Sequence, residues 1–390
     1  MQRAKIISRN VIILSLVSLF NDASSEMLIP VMPLYLKSIG FGIVLIGVLE
    51  GFAEAAAGLS KGYFGSLSDN TGRRLPFVQL GYLLSNISKT AIAAFAIPLW
   101  VFFARFGDKL GKGIRTGARD AILSDEATPE TKATVFGFNK ALDTLGAVIG
   151  PLSALIYLHY YPENYRMLFL IAFVPGLIAV AITLLVKEKR KPVAVNQPKT
   201  KFFDFINYWK NSPPIYKKLV IGLLAFTLFN SSDIFLLLKI KEAGYSDSAV
   251  LIMYIFYNMV FALFSFPVGR IADKISKKTV FIMGLFMFVL VYAGMAYANA
   301  EWMFFTLFFI YGIYAACTDG VAKAWITNVC EKEKTATAVG TYTAFQSIAT
   351  LIASSMAGII WFSLGAPVIF LASAIVVLGV AVYVGRIREV

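Results

Sequence analysis

The chain has 390 residues, of which 58% are hydrophobic and only 15% charged. That is too little polar material to cover a soluble fold, so the composition places the chain in lipid. Its net charge of +13 sits in a few loops instead of one broad face, which argues against a nucleic-acid binder.

Apolar runs of about 20 residues, each able to cross a hydrocarbon core of about 30 Å as a helix, are predicted at 10–37, 43–66, 75–97, 99–125, 131–158, 165–186, 216–243, 248–270, 278–298, 301–329, 334–363 and 366–386. They lack the short alternating pattern of a barrel, so helices are the expected elements. The first run is too long for a signal-peptide core and lacks a small-residue cleavage pattern, so it is expected to stay as the first helix. It carries Asn21, Asp22 and Glu26, the two acids four apart on one face, with Pro30 and Pro33 expected to bend the segment. The second run repeats the spacing with Glu50 and Glu54, and Lys61 follows about two turns later; the third holds Asn86 and Lys89.

The fourth run is the densest in charge. Arg105, Asp108, Lys112, Arg115 and Arg119 follow one another at steps of three and four, so they share one helical face over about 21 Å. A charge facing lipid near the bilayer centre costs at least ~3 kcal/mol, so this stripe must meet a water-filled cavity or charged partners. Arg115, Arg119 and Asp120 fall near the end of the run, where an interfacial role fits equally well. Glycines 107, 111, 113 and 117 would let a neighbouring helix approach closely. The fifth run carries Lys140 and Asp143, then Gly146-x-x-x-Gly150-Pro151, a spacing that fits close helix packing as well as a hinge. In the second half the charges thin out to Asp233, Asp319 and Lys323, with Lys239 and Lys241 expected at an outer surface. Any one of these charges fits a salt bridge between helices, but the set exceeds what packing requires. His159 falls at a turn, where a solvated role is expected, and Cys317 and Cys330 have neither metal spacing nor a suitable disulfide partner.

Basic residues are asymmetric. The first nine residues contribute +3 and residues 187–218 contribute +7, and with Arg73, Arg74, Lys277, Lys278, Arg386 and Arg388 they fall on one side of a twelve-span alternation. The positive-inside rule makes that side cytoplasmic, with both termini inside a cytoplasmic (inner) membrane. Within the link, 202–210 is aromatic and amphipathic enough to lie on a membrane surface. The chain also repeats itself. Gly117, Ala121, Glu130, Ala133, Thr134, Gly137 and Ala141 align with Gly320, Ala324, Glu333, Ala336, Thr337, Gly340 and Ala344 at a shift of 203. Two related six-helix halves follow, 1–186 and 216–390, joined by a basic cytoplasmic link at 187–215.

Residues Gly65-Ser-Leu-Ser-Asp69-Asn-Thr-Gly72-Arg73-Arg74, with a degenerate copy from Gly269 through Asp273 to Lys277-Lys278, resemble the G-x-x-x-D-x-x-G-R-R loop of the major facilitator superfamily. The resemblance implies an all-α fold of 12 transmembrane helices in two pseudo-symmetric bundles. It also implies a gate at Gly65, Asp69, Gly72, Arg73, Arg74, Arg119 and Asp273, where the carboxylate meets a helix N-terminus or a neighbouring Arg when the cytoplasmic side is closed. Gly146, Gly150 and Pro151 are similar to the family's glycine-proline hinge motif, associated with exporters and antiporters. The string Gly111-Lys-Gly-Ile-Arg115 followed by Arg119-Asp120 resembles a prokaryotic branch of that superfamily.

The expectation is therefore a secondary carrier working by alternating access on a small polar or charged solute, proton-coupled and in the efflux or antiport sense. The substrate and coupling candidates are Asp22, Glu26, Glu50, Glu54, Lys89, Arg105, Asp108, Lys112, Lys140, Asp143, Asp319 and Lys323. Asp22 or Glu26 is the expected titrating group, with Arg105 and Asp108 beside it. A proton- or sodium-coupled uptake symporter remains open, as does a divalent-metal carrier using the carboxylates of the first two helices. A channel would need rings of like residues and an enzyme a nucleophile or metal constellation, and neither pattern is present. No cofactor motif, resident metal site or nucleotide-binding loop is found. A monomer in the bilayer is expected, with a coupling proton or sodium and no nucleic-acid partner.

Overall fold

The computed structural model describes residues 6–28, 32, 35–36, 39–40, 43–95, 97–188 and 201–387, with backbone alone for 43–56, 98, 247 and 248. The side chains of Glu50 and Glu54, and the bend expected at Pro30 and Pro33, lie outside the described part. Helices run in the order α1 (Arg9–Glu26), α2 (Ile43–Thr71), α3 (Leu75–Ala91), α4 (Pro98–Asp125), α5 (Lys132–Tyr160), α6 (Tyr165–Thr183) and the short α7 (Asp204–Asn211). The second half continues with α8 (Pro214–Phe229), α9 (Ile234–Glu242), α10 (Asp247–Lys274), α11 (Lys277–Tyr297), α12 (Glu301–Val329), α13 (Thr335–Leu364) and α14 (Ala366–Gly385).

Local chemistry accounts for many of the ends. Ser8, Asn164, Ser246 and Ser276 each accept a backbone N–H from the first turn of α1, α6, α10 and α11, satisfying donors that have no intrahelical partner. Gly72 turns the chain between α2 and α3 at φ 64°, a conformation that favours glycine. The seventh predicted run is broken into α8 and α9. Its interior Asn230-Ser231-Ser232-Asp233 is a run of side chains that compete for backbone groups, and the Ser231 and Asn230 side chains turn to the tyrosines Tyr292 and Tyr314.

Among the described residues eight segments are long and apolar enough to cross a membrane, the α8–α9 pair counted as one; α1 to α4, which hold most of the buried charge, are not among them. Large apolar side chains such as Leu263, Ile359, Ile375 and Phe362 are two-thirds or more exposed. A surface of that kind is stable against lipid tails and not against water. The protein is a multi-pass membrane protein.

The chain forms two compact units. Unit 1 holds residues 1–127, 142–211 and 331–344, so it includes the first turns of α13. Its α3 packs on α4 and α6, α2 on α4, and α1 on α6. The α3–α4 contact is backbone on backbone: a Cβ on Gly111 would lie 2.6 Å from the Gly81 carbonyl oxygen. Unit 2 holds residues 128–141, 212–330 and 345–390, so it includes the first turns of α5. There α10 and α11 pack on α12, and α14 on α11 and α8.

Candidate functional site

The charged stripe of α4 serves two neighbours. Toward α3, Asp108 accepts the Ser85 hydroxyl and is paired with Arg105 at 3.4 Å. The Lys89 ammonium, 2% exposed, donates to the hydroxyls of Ser24 and Ser25 on α1, at 3.0 and 2.9 Å. Its strongest electrostatic neighbours are Asp108, Arg115, Asp22 and Arg105, in that order. Arg115 is buried against α3, its guanidinium carbon 4.4 Å from the centre of the Tyr82 ring. Asp120 is buried as well.

Toward α1 and α5, Arg119 pairs with Asp120 at 2.9 Å, donates to Ser18 and reaches Asp143 at 4.0 Å. Arg119, expected with the gate, thus belongs to this interior cluster. The carboxyls of Asp22 and Asp143 are within hydrogen-bonding reach of one another, with Glu26 and Lys112 among the nearest charges. Asp22 also accepts the Asn21 amide at 3.0 Å. Arg105 and Asp108, the partners expected for Asp22, are joined to each other, and Asp143 stands in their place. The reason is packing: Gly146 and Gly150 let α5 ride on the α1 backbone, a Cβ at Gly146 lying 2.3 Å from the Leu19 carbonyl oxygen and 3.1 Å from the Asp22 Cβ. The Gly-x-x-x-Gly-Pro segment, with Pro151 inside the helix, therefore makes a close helix contact.

Unit 2 answers with a different chemistry. Lys140, grouped by sequence with Asp143, pairs with Asp319 at 2.9 Å and lies 5.2 Å from the Phe261 ring centre. Lys323 stands one turn beyond Asp319 on α12. Asp233 accepts the Tyr311 hydroxyl at 2.7 Å, and Tyr257 is its second phenol donor. Tyr257, Tyr311 and Tyr314 form a chain of rings with centroids 5.0 Å apart at each step. This tyrosine-bound carboxylate was absent from the site candidates. The signal was present in the polar break before α9 and in the four-residue helical spacing of aromatic residues on α12, which reads as packing when the sequence stands alone.

Two further constellations repeat the loop motif. In unit 1, Asp69 accepts the Thr337 backbone N–H at 2.7 Å and its hydroxyl at 2.9 Å, in the first turn of α13. The other carboxylate oxygen pairs with Arg74 at 2.7 Å, and Arg74 continues to Asp125; Arg73 is exposed. A Cβ on Gly65 would lie 2.4 Å from the Ala336 carbonyl oxygen. In unit 2, Asp273 accepts the backbone N–H groups of Ala133 and Thr134 in the first turn of α5, at 3.0 and 2.6 Å, and pairs with Lys277 at 3.0 Å. A Cβ on Gly269 would lie 2.3 Å from the Ala133 carbonyl oxygen. In each case a carboxylate sits on the positive end of a helix, reached through a glycine contact. Among the described residues no group of three or more His, Cys, Asp or Glu is arranged to hold a metal ion.

Comparison with known proteins agrees with this architecture. A profile described as Major Facilitator Superfamily matches residues 14–261 and 240–389. An uncharacterized MFS-type transporter of Methanocaldococcus jannaschii is 34% identical over 361 residues, covering 91% of this chain and 89% of that one. A multi-drug resistance efflux pump of Streptococcus pneumoniae is 23% identical over 306 residues, covering 75% of this chain and 74% of the pump. Among solved structures, the human organic anion transporter MFSD10 matches with a TM-score of 0.82 at 14% identity, over 96% of this chain and 99% of that one. With the family profile spanning nearly the whole sequence and a 34% identical relative over most of its length, the chain belongs to the major facilitator superfamily and is a membrane transporter.

Proposed function

We propose that this transporter moves a small polar or charged solute across the cytoplasmic membrane by alternating access, driven by protons, in the sense of efflux or antiport. The observation that carries the proton reading is the Asp22–Asp143 contact. Two carboxyls can share a hydrogen bond only if one of them holds a proton. Arg119 already reaches Asp143 at 4.0 Å, and Lys112 is among the charges that act on Asp22. Proton loss then exchanges a carboxyl–carboxyl bond for ion pairs, and a change of partner of that kind can bias one state of a carrier over another. The efflux sense draws on the drug-efflux relative and on the Gly146-to-Pro151 segment.

In this reading the halves 1–186 and 216–390 rock about the link 187–215, with both termini on the cytoplasmic side. Asp69 and Asp273, with Gly65, Gly72, Arg73 and Arg74, close that side by holding the first turns of α13 and α5. Release of those turns opens it. Lys89, Arg105, Asp108, Lys140, Asp319 and Lys323 supply the polar surface for the solute, and Gly146, Gly150 and Pro151 the flexure of α5.

Asp22→Asn in proteoliposomes tests the coupling. Concentrative transport driven by a pH gradient is expected to be lost while exchange between equal solute pools continues. Retention of gradient-driven accumulation would sink the proposal, and loss of both processes together with lower thermal stability would assign Asp22 a structural role.

A further inference from the structure

Arg115 is 5% exposed, and its Nη1 has no hydrogen-bond acceptor among the described residues. The ring of Tyr82 covers the guanidinium at 4.4 Å. A guanidinium carries its charge at any working pH and offers donors in a rigid fork. Left buried with an open donor, it is among the costliest features a fold can keep. Its nearby carboxylates on α4 are bonded to other groups, Asp108 to Ser85 and Arg105 and one oxygen of Asp120 to Arg119.

Among the described residues, Arg115 and Arg105 act on Lys89 beside Asp108 and Asp22, and Asp22 shares its hydrogen bond with another acid. Lys89 itself is held by serine hydroxyls and by no carboxylate within 4.0 Å among the described residues. A water molecule would satisfy a donor without bringing a negative charge to the guanidinium. A planar oxyanion would do both, since its oxygens match the guanidinium fork while the tyrosine ring fixes the plane.

We propose that Arg115, stacked on Tyr82 between α3 and α4, is the anchor of an oxyanion-binding site that takes a carboxylate or phosphate group. This rests on the transporter reading and narrows its solute class to anions, unless the oxyanion belongs to a lipid headgroup.

The test is equilibrium binding on the full-length protein in neutral detergent, followed by thermal shift and calorimetry. Sodium citrate and sodium phosphate are titrated against sodium chloride at equal ionic strength. Citrate or phosphate is expected to raise the melting temperature of the wild type where chloride does not. Arg115→Gln should weaken that response at least tenfold, and Arg115→Lys, which keeps the charge and loses the fork, should fall between. If Arg115→Gln fails to fold, Tyr82→Leu provides the same comparison by removing the stacking ring. Added phosphatidylglycerol separates the sources: saturation by the lipid, in wild type and not in Arg115→Gln, would support the site with a headgroup as occupant. No response to either oxyanion or to the lipid, or an equal response in Arg115→Gln, would overturn the proposal. Binding is read without a gradient, so its failure is distinguishable from a failure of proton coupling at Asp22.

Discussion

The interiors of the two units are built on the same repeat and use opposite chemistry. Tyr311 stands where Asp108 stands in the first half, at the shift of 203, and Asp233 stands where Ser24 does, at the shift of 209 that also relates Asn21 to Asn230. In unit 1 the acid is on α4 and takes its hydroxyl from Ser85 on α3, while Ser24 on α1 accepts from Lys89; in unit 2 the acid is at the position equivalent to α1 and Tyr311 on α12 supplies a phenol. The helix-capping contacts of Asp69 and Asp273 kept one design through the same duplication, down to the glycine that meets a carbonyl in each. The duplicated frame therefore keeps its helix-capping contacts while the interior polarity differs between the halves. Ion pairs concentrate on one side of that difference and phenols on the other, and the two should respond differently to loss of a partner.

The largest effect is expected at Asp108. Asp108→Ala removes the partner of Arg105 and the strongest of the negative charges acting on the buried Lys89, and breaking a buried ion pair from one side costs about 3–5 kcal/mol. A thermal-shift measurement should show a large loss of stability. Adding Lys89→Met should recover a substantial part of it, because the uncompensated charge is then gone. If the double variant is no better than the single one, the cluster is not held by charge balance and the contrast with unit 2 fails.

The two caps provide the next comparison. Asp69→Asn keeps one oxygen for Thr337 but loses the charge that binds Arg74, which is itself buried and tied to Asp125. Asp273→Asn loses the pairing with Lys277 and one of the two backbone N–H groups it accepts, because the amide has a single acceptor oxygen, but it strands no buried guanidinium. Transport rates are expected to fall about tenfold for Asp69→Asn, equivalent to about 1.4 kcal/mol, and by roughly half that free energy for Asp273→Asn, with membrane insertion of both near wild type. Equal rates in the two variants would show that the caps act as a symmetric pair.

Much of this was legible in the sequence. Length and apolarity of the runs placed the helices, and the repeat together with the doubled glycine–aspartate spacing singled out Asp69 and Asp273 as carboxylates suited to a helix N-terminus. What stayed hidden depends on which way a helix turns. Periodicity put Arg105 through Arg119 on one face of α4, but that face is shared, so Asp108 and Arg115 turn to α3 while Arg119 turns to α1 and Asp143. The same applies to α5, whose Lys140 and Asp143 lie three residues apart and join different units. Asp233 was hidden for another reason. Its partners are uncharged, and a tyrosine at helical spacing carries no mark that distinguishes a hydroxyl aimed at a carboxylate from a ring filling a core.

The smallest expected effect tests that distinction directly. Tyr311→Phe removes one hydroxyl and leaves the ring in place among Tyr257, Tyr314 and Phe308, so the packing of α12 on α10 should survive. Asp233 keeps Tyr257 as a donor and is partly exposed, so its charge is not stranded as that of Lys89 would be in Asp108→Ala. The cost is then that of one hydrogen bond within a membrane protein, about 1 kcal/mol. The double variant Tyr257→Phe with Tyr311→Phe should cost more than the sum of the singles, because only then does the carboxylate lose both phenols. Simple additivity of the two, measured by thermal shift, would mean that the phenols do not substitute for one another and that unit 2 relies on Asp233 much as unit 1 relies on Asp108.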